Sequence, residues 1–379
     1  MGNERTIQIS MGTSKNFLED ILTRDISTLD ALYDLIDNSI DAARDSLFER
    51  GDFKRDKYDL PQSYHEFTVD IELNEQSIKV EDNCFGMKER TLKSEAFVIA
   101  HSSEHDYGIG QYGIGLKRSL LKMGGSYDVS IDNGEQKYDF KFTNKQIGGS
   151  EGKVDAVAKN SNGKPFTTFI VTDLNTEIRG DIQNERWLKR ALDGLKDRYS
   201  VYFSKGFEIT FKYFDNPKLS LNSRLPSLRT NGKFLPTFLP VKTSSEVSVT
   251  IESGIHQDYM FPGEDNHSLA TNRTLTDDFG IYFICNDRVI VKASTEKAHG
   301  WQAKWHSEYN GFVCLVRFVA KNSNYLPWNT AKSAMREDAG LFLDVVDSLQ
   351  PILETYRSEI KKRYAKKKKT SEDAKDKPT

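Results

Sequence analysis

Cysteine is scarce in this chain. The three in 379 residues, Cys84, Cys285 and Cys314, stand alone, which excludes a disulfide framework and a cysteine-rich metal site. The seven histidines form no ligand cluster in the sequence. No apolar run reaches the ~18 residues of a spanning helix, and no early apolar stretch predicts a signal peptide. Excess charge of one sign is missing too. The net charge is −3, so no general attraction to nucleic acid is implied. Hydrophobic residues make up 37% and charged residues 29%, the balance of a globular protein on the polar side. The expected compartment is the cytoplasm, or the nucleus in a eukaryotic host. At 379 residues, one large or two ordinary domains are expected.

What is present begins with Asp34-Leu-Ile-Asp-Asn-Ser-Ile-Asp41. On a helix Asp34, Asn38, Asp41 and Asp45 fall within about 60° of one another, while Leu32, Ile36, Ile40, Ala43 and Leu47 fall opposite. A solvated face would look similar. An acidic stripe around one Asn is also a source of hard oxygen ligands for Mg²⁺. Asp37 points about 60° from Asp34, which makes it a poor substitute.

Two strands are expected at 67–73 and 77–81, followed by Asp82-Asn-Cys-Phe-Gly-Met87. A buried carboxylate there can accept from an exocyclic amine such as that of adenine. Next comes Gly108-Ile-Gly-Gln-Tyr-Gly-Ile-Gly-Leu-Lys117. Its glycines permit positive φ and close backbone approach, and a helix is expected from about Leu116 with Lys117 and Arg118 in its first turn. Helix N-termini attract phosphate. The loop lacks the Gly-x-x-x-x-Gly-Lys-Ser/Thr pattern and the βαβ setting of a dinucleotide fingerprint. A further strand is expected at 169–174, with Thr167 and Thr168 at its start.

These four stretches, in this order, resemble the GHKL ATPases: gyrase B, the ninety-kilodalton heat-shock chaperones, MutL, histidine kinases and the MORC proteins. The Gly-Gln-Tyr-Gly-Ile-Gly-Leu-Lys form is most similar to the MORC and chaperone branches. The resemblance implies an α+β fold, a Bergerat ATP-binding α/β sandwich, with ATP and Mg²⁺ bound between helices and a lid. It implies Asn38 as the Mg²⁺ ligand and Asp82 as the adenine acceptor, with Thr168 nearby. Gly86 and Met87 would shape the adenine pocket. Gly108, Gly110, Gln111, Tyr112, Gly113, Ile114, Gly115, Leu116 and Lys117 would form the phosphate loop, and Asp41 and Ala42 complete the helix motif. Asp34 stands where most of these ATPases carry a catalytic Glu. It is one methylene shorter, and a misplacement of about 1 Å can cost about a hundredfold in rate. The expectation is therefore a slow ATPase.

The ATP-binding domain is expected over 1–185. A helix over 181–199 would lead into a second, transducer-like α+β domain over 186–355, with strands at 207–213, 247–252, 280–284, 288–291 and 311–319. Within it Leu326-Pro-Trp-Asn-Thr-Ala-Lys-Ser333 resembles the loop whose lysine reaches the γ-phosphate, here Lys332. A terminal helix over 342–364, kinked or split at Pro351, would run into a basic, disordered tail over 356–379. The run Lys361–Lys369 offers nonspecific contact to DNA. No histidine-bearing dimerisation helix precedes the motifs, which disfavours a histidine kinase. The expected function is an ATP-driven homodimerisation switch in a DNA-associated process: repair, chromatin or anti-phage defence. In it residues 1–20 would form an exchanged arm and an effector would reside in a partner chain. A chaperone-like or signalling switch acting on a protein, and an inert nucleotide-binding module, are the alternatives.

Overall fold

The computed structural model describes residues 21–98, 105–110, 113–147, 152–232, 234–241 and 246–375, with side chains to 363. In chain order the helices are α1 (Thr28–Arg50), α2 (Glu89–Ser94), α3 (Gly115–Met123), α4 (Thr176–Ile182), α5 (Glu185–Arg198), α6 (Ser200–Ser204), α7 (Leu269–Thr274) and α8 (Gly340–Lys375). The strands are β1 (Thr68–Leu73), β2 (Ile78–Asp82), β3 (Gly124–Asp132), β4 (Gln136–Thr143), β5 (Val157–Asn160), β6 (Phe166–Leu174), β7 (Glu208–Tyr213), β8 (Leu219–Ser220), β9 (Thr237–Val241), β10 (Ser248–Ile255), β11 (Gly280–Cys285), β12 (Arg288–Ser294) and β13 (Phe312–Val319).

Two sheets organise this mixed α+β chain. The first runs β5-β4-β3-β6-β2-β1-β7-β8 and the second β12-β11-β13-β10-β9. The first is mainly antiparallel, but β7 pairs parallel with β1, from Thr68↔Glu208 to Leu73↔Tyr213. The first sheet therefore continues past residue 185 and takes in a segment that the sequence assigns to the second domain. Nothing local announces such a pairing, because parallel neighbours meet only through a long crossover. One apolar core runs from Ile26, just ahead of α1, through both sheets to Ile360 on α8.

The helix expected over 181–199 is two helices, α4 and α5. Asn184 caps α5 by accepting from the Arg186 and Trp187 amides. Pro351 does not split α8, because Leu349, Leu353, Tyr356 and Ile360 are buried on both sides of it. The backbone of α8 stays helical through the lysine run to Lys375, where a disordered tail is expected from the sequence. Lys, Ala and Glu are good helix formers, and no glycine or proline intervenes in the run. No helix among the described residues is long and apolar enough to cross a membrane.

Candidate functional site

Helix α1 supplies the floor of the site. Ser27 and Asp30 form a capping box, and Gly51 closes the far end with φ 69° and its amide on the Leu47 carbonyl. Ile36, Ile40 and Ala43 on its apolar face are wholly buried. The acidic stripe is buried as well: Asp34 is 2% and Asp41 1% exposed. Asn38 and Asp45 on the same stripe are partly exposed, and Asp41 meets the glycine loop.

Asp41 shows how. Its carboxylate accepts the Ile109 amide (2.8 Å), the Gly110 amide (2.7 Å) and Arg44 Nη1 (2.7 Å). Arg44 in turn donates to Tyr202 Oη. Asp41 anchors the loop and does not line the cavity, contrary to its expected place among the nucleotide contacts. One turn further on, Asp45 pairs with His105 Nδ1 at 2.5 Å. Burial opposes the charge on His105, but Asp45 and Asp41 more than offset this and push the imidazole up to about 9.

A cavity of about 1150 Å³ opens between α1, the sheet and the head of α3. At one end Asp82 accepts from Ser39 Oγ (2.8 Å) and the Cys84 amide (3.0 Å). Burial raises its carboxyl to about 6, against those two hydrogen bonds. Met87 and Phe169 line the cavity beside it. Gly86 takes φ 69°, and a Cβ there would lie 2.1 Å from the Asp132 carbonyl oxygen, so the turn under the cavity requires glycine.

Thr168 is not part of this end. Its hydroxyl donates to Glu81 Oε2 (2.9 Å) on the other face of the sheet. Thr167 lies opposite Asp82 across β6 and β2 and lines the cavity. Adjacent strand residues point to opposite faces, so a step of one residue changes the assignment.

At the other end α3 begins at Gly115. Of the four loop glycines only Gly113 takes positive φ (56°), and Gly108 does not line the cavity. Gly110, Gly113, Ile114, Gly115, Leu116 and Lys117 do line it. Gln111 and Tyr112 lie outside the described residues. Lys117 is 3% exposed and donates to the Gly113 carbonyl at 2.6 Å. It meets no carboxylate among the described residues. Burial alone lowers its ammonium to about 8.

Asp34 sits beside α3 in a different state. Arg118 grips it with Nε at 2.6 Å and Nη2 at 3.0 Å, and Lys332 Nζ approaches at 3.3 Å. Burial raises the Asp34 carboxyl, but Lys332 and Arg118 prevail and hold it below the ordinary range. Lys332 also reaches Asp37 (3.2 Å), which accepts from Arg288 Nε (2.9 Å) and Tyr199 Oη (2.9 Å). Asp37 is thus part of the same network, although its helical angle sets it apart from Asp34. Lys332 itself has φ 54°, and its carbonyl accepts from Arg198 Nη1 (2.9 Å) and Arg288 Nη1 (2.6 Å).

Asn38 and Ala42 line the cavity between the two ends. The nearby carboxylates of Asp34, Asp41 and Asp45 are committed to cations and amides. Asn38 thus offers a neutral amide oxygen in this stretch, which fits a Mg²⁺ ion that takes its other ligands from phosphate and water. Elsewhere, Glu296, His299 and Glu337 come close enough to share a metal, a cluster that the sequence does not reveal; none of them lines the cavity.

Residues 26–155 match the family model described as histidine kinase-, DNA gyrase B- and HSP90-like ATPase. The match spans about one third of the chain, from the start of α1 to the approach to β5. It supports a GHKL-type ATP-binding fold for that part and does not single out the MORC or MutL branch. No curated protein matches the chain.

Proposed function

We propose that the chain is a Mg²⁺-dependent ATP-binding protein and a slow ATPase. The observation that carries this reading is Lys117, a buried cation without a carboxylate partner among the described residues, at the head of α3 in a cavity whose far end holds Asp82. A buried charge calls for a counterion, and a polyphosphate on a helix N-terminus supplies one.

In this reading Asp82 takes the adenine amine, assisted by Thr167. Gly86 and Met87 shape the base pocket, and Gly110, Gly113 and Gly115 wrap the phosphates. Mg²⁺ held by Asn38 would neutralise charge between phosphate oxygens. Asp34 orients water at the γ-phosphate, and Lys332 contacts that phosphate from the second sheet's side. Both Asp34 oxygens are occupied by cations here, which favours slow turnover and keeps an inert nucleotide-binding module as the second reading.

The task served by ATP is proposed from two further features. The lysine run on α8 and the MORC and MutL resemblance favour an ATP-driven homodimer acting on DNA, as in repair, chromatin or anti-phage defence, with any effector in a partner chain. The test is ATP hydrolysis with and without DNA, run beside light scattering with a non-hydrolysable ATP analogue. Hydrolysis stimulated by DNA, and a doubling of mass with the analogue, support the full reading. Loss of DNA retention on removal of 361–379 would assign the contact to α8. Binding without hydrolysis leaves the inert module. Absence of nucleotide binding overturns the reading.

A further inference from the structure

The charged groups behind the glycine loop form a single row: Arg118, Asp34, Lys332, Asp37, Arg288. The successive contacts are 2.6, 3.3, 3.2 and 2.9 Å. The side chains are 12, 3, 7, 1 and 1% exposed in that order. A row that begins and ends on a cation carries one positive charge in excess. Buried charge is costly unless compensated. Lys117 adds another cation one residue from Arg118.

Resting on the nucleotide reading, we propose that Arg118 is a ligand of the terminal phosphate of a nucleoside triphosphate, held by Asp34 until that phosphate takes it. Four observations support the exchange. Arg118 lines the cavity and is the most exposed member of the row. It lies in the first turn of α3, where amides and the helix dipole already favour an anion. Its guanidinium presents a two-nitrogen fork to a carboxylate, the geometry that also fits two phosphate oxygens. Asp34 is not stranded when Arg118 leaves, since Ser119 Oγ at 3.4 Å remains and the Lys332 ammonium, 3.3 Å away, has three donors to share among Asp34, Asp37 and the phosphate.

The exchange has a chemical consequence. While Arg118 holds it, Asp34 cannot present a free oxygen to water. Transfer of Arg118 to the third phosphate uncovers Asp34 only when a third phosphate is there. A diphosphate, ending short of this point, leaves the pair closed. Arg118 would then set both the preference for triphosphate over diphosphate and the moment at which Asp34 becomes available.

Calorimetric titration of the full chain with ADP and with a non-hydrolysable ATP analogue tests this in wild type and Arg118→Gln. The expected result is a loss of at least about tenfold for the analogue, with ADP affinity within about twofold of wild type. Equal losses for both nucleotides, or no loss for either, overturn the proposal while leaving the nucleotide reading intact. Wild type that binds neither nucleotide overturns both. If Arg118→Gln does not fold, as seen by circular dichroism, Arg118→Lys decides. It keeps the charge but not the fork, and the triphosphate-to-diphosphate preference should fall at least about threefold. An unchanged preference in Arg118→Lys overturns the assignment.

Discussion

Asn286 Nδ2 donates to the Gly108 carbonyl at 3.3 Å across 178 residues of chain. Asn286 and Asp287 form the two-residue turn between β11 and β12, with φ 45° and 67°, the backbone of a type I′ hairpin. The tip of the second sheet therefore rests on the loop that borders the cavity. The same amide bonds to the Ala320 carbonyl (3.0 Å), and the Tyr107 amide donates to the Lys321 carbonyl (2.7 Å).

Asn286→Gly separates that contact from the turn, because glycine accepts the positive φ. The substitution should cost about 1–3 kcal/mol of stability, since buried carbonyls lose their donor. ATP affinity should fall with it as the loop loosens. Urea unfolding and calorimetry check the two effects. A loss of stability with unchanged affinity would limit the contact to a structural role.

Asn38→Ala should abolish the Mg²⁺-dependent part of nucleotide binding. Titrations with Mg²⁺ and with EDTA should then coincide. Wild-type affinity in Mg²⁺ would mean that the metal is held by other residues.

Lys117→Met should weaken triphosphate binding and yet stabilise the chain. The sign follows from the depressed ammonium, near 8 in the folded protein against 10.5 in its ordinary state. Between those values the unfolded chain binds more protons, so the lysine's cost is present below pH 8 and is relieved as pH rises toward 10.5. Methionine removes that cost, about 1–3 kcal/mol at pH 7, seen as a higher urea midpoint. Phosphate should also restore the lost proton. Calorimetry at pH 8.5 in two buffers of different ionisation enthalpy should therefore show proton uptake by wild type and none by Lys117→Met.

Asp82→Asn should weaken adenine nucleotides by about 1–3 kcal/mol with little loss of fold, because an amide loses charge assistance. Burial raises the Asp82 carboxyl to about 6, from 3.8. Its protonated form therefore contributes stability below about pH 4 that is lost as pH rises through 6. The ionised form accepts the amine, so adenosine affinity should rise from pH 5 to pH 7 in wild type and stay level in Asp82→Asn. Equal binding of ATP and GTP by wild type would remove the adenine assignment.

Asp34→Ala should bind ATP and not hydrolyse it, which phosphate release measures directly. The mutant leaves Arg118 and Lys332 short of a carboxylate, so its stability should fall by ~3 kcal/mol and recover with bound triphosphate. Hydrolysis at the wild-type rate would exclude Asp34 as the base.

The helix motif, the Asp82 turn and the glycine loop were legible in the sequence because each needs particular residue types. Gly86, for example, sits where any Cβ would meet the Asp132 backbone. Lys332 was reached only through the resemblance, since 298 residues separate it from Asp34. The choice between Thr167 and Thr168 was not legible. Both have the same side chain, and only the register with Asp82 assigns the face. Asp37 was set aside on its helical angle, but Lys332 is long enough to bridge two positions of α1. Arg118 was legible as a first-turn residue of the helix after the glycine loop, but its pairing with Asp34 was not, because packing brings the two together.

The parallel pairing of β1 with β7 makes synthesis order matter. All the glycine-loop residues are made before residue 120, yet β1 gains its second neighbour only after Tyr213 has emerged. Until then the row of amides and carbonyls along β1 faces outward, a ready template for another chain. A fragment ending at 185 would keep every residue proposed to hold the nucleotide except Lys332 and still carry that bare edge. Such fragments should aggregate, while fragments extended through β8 should not. Contacts between distant strands also form slowly, because a long loop must close first. The nascent chain would thus pass through a stage with the binding motifs made and the sheet unfinished, when a chaperone covering β1 would raise the yield of folded protein.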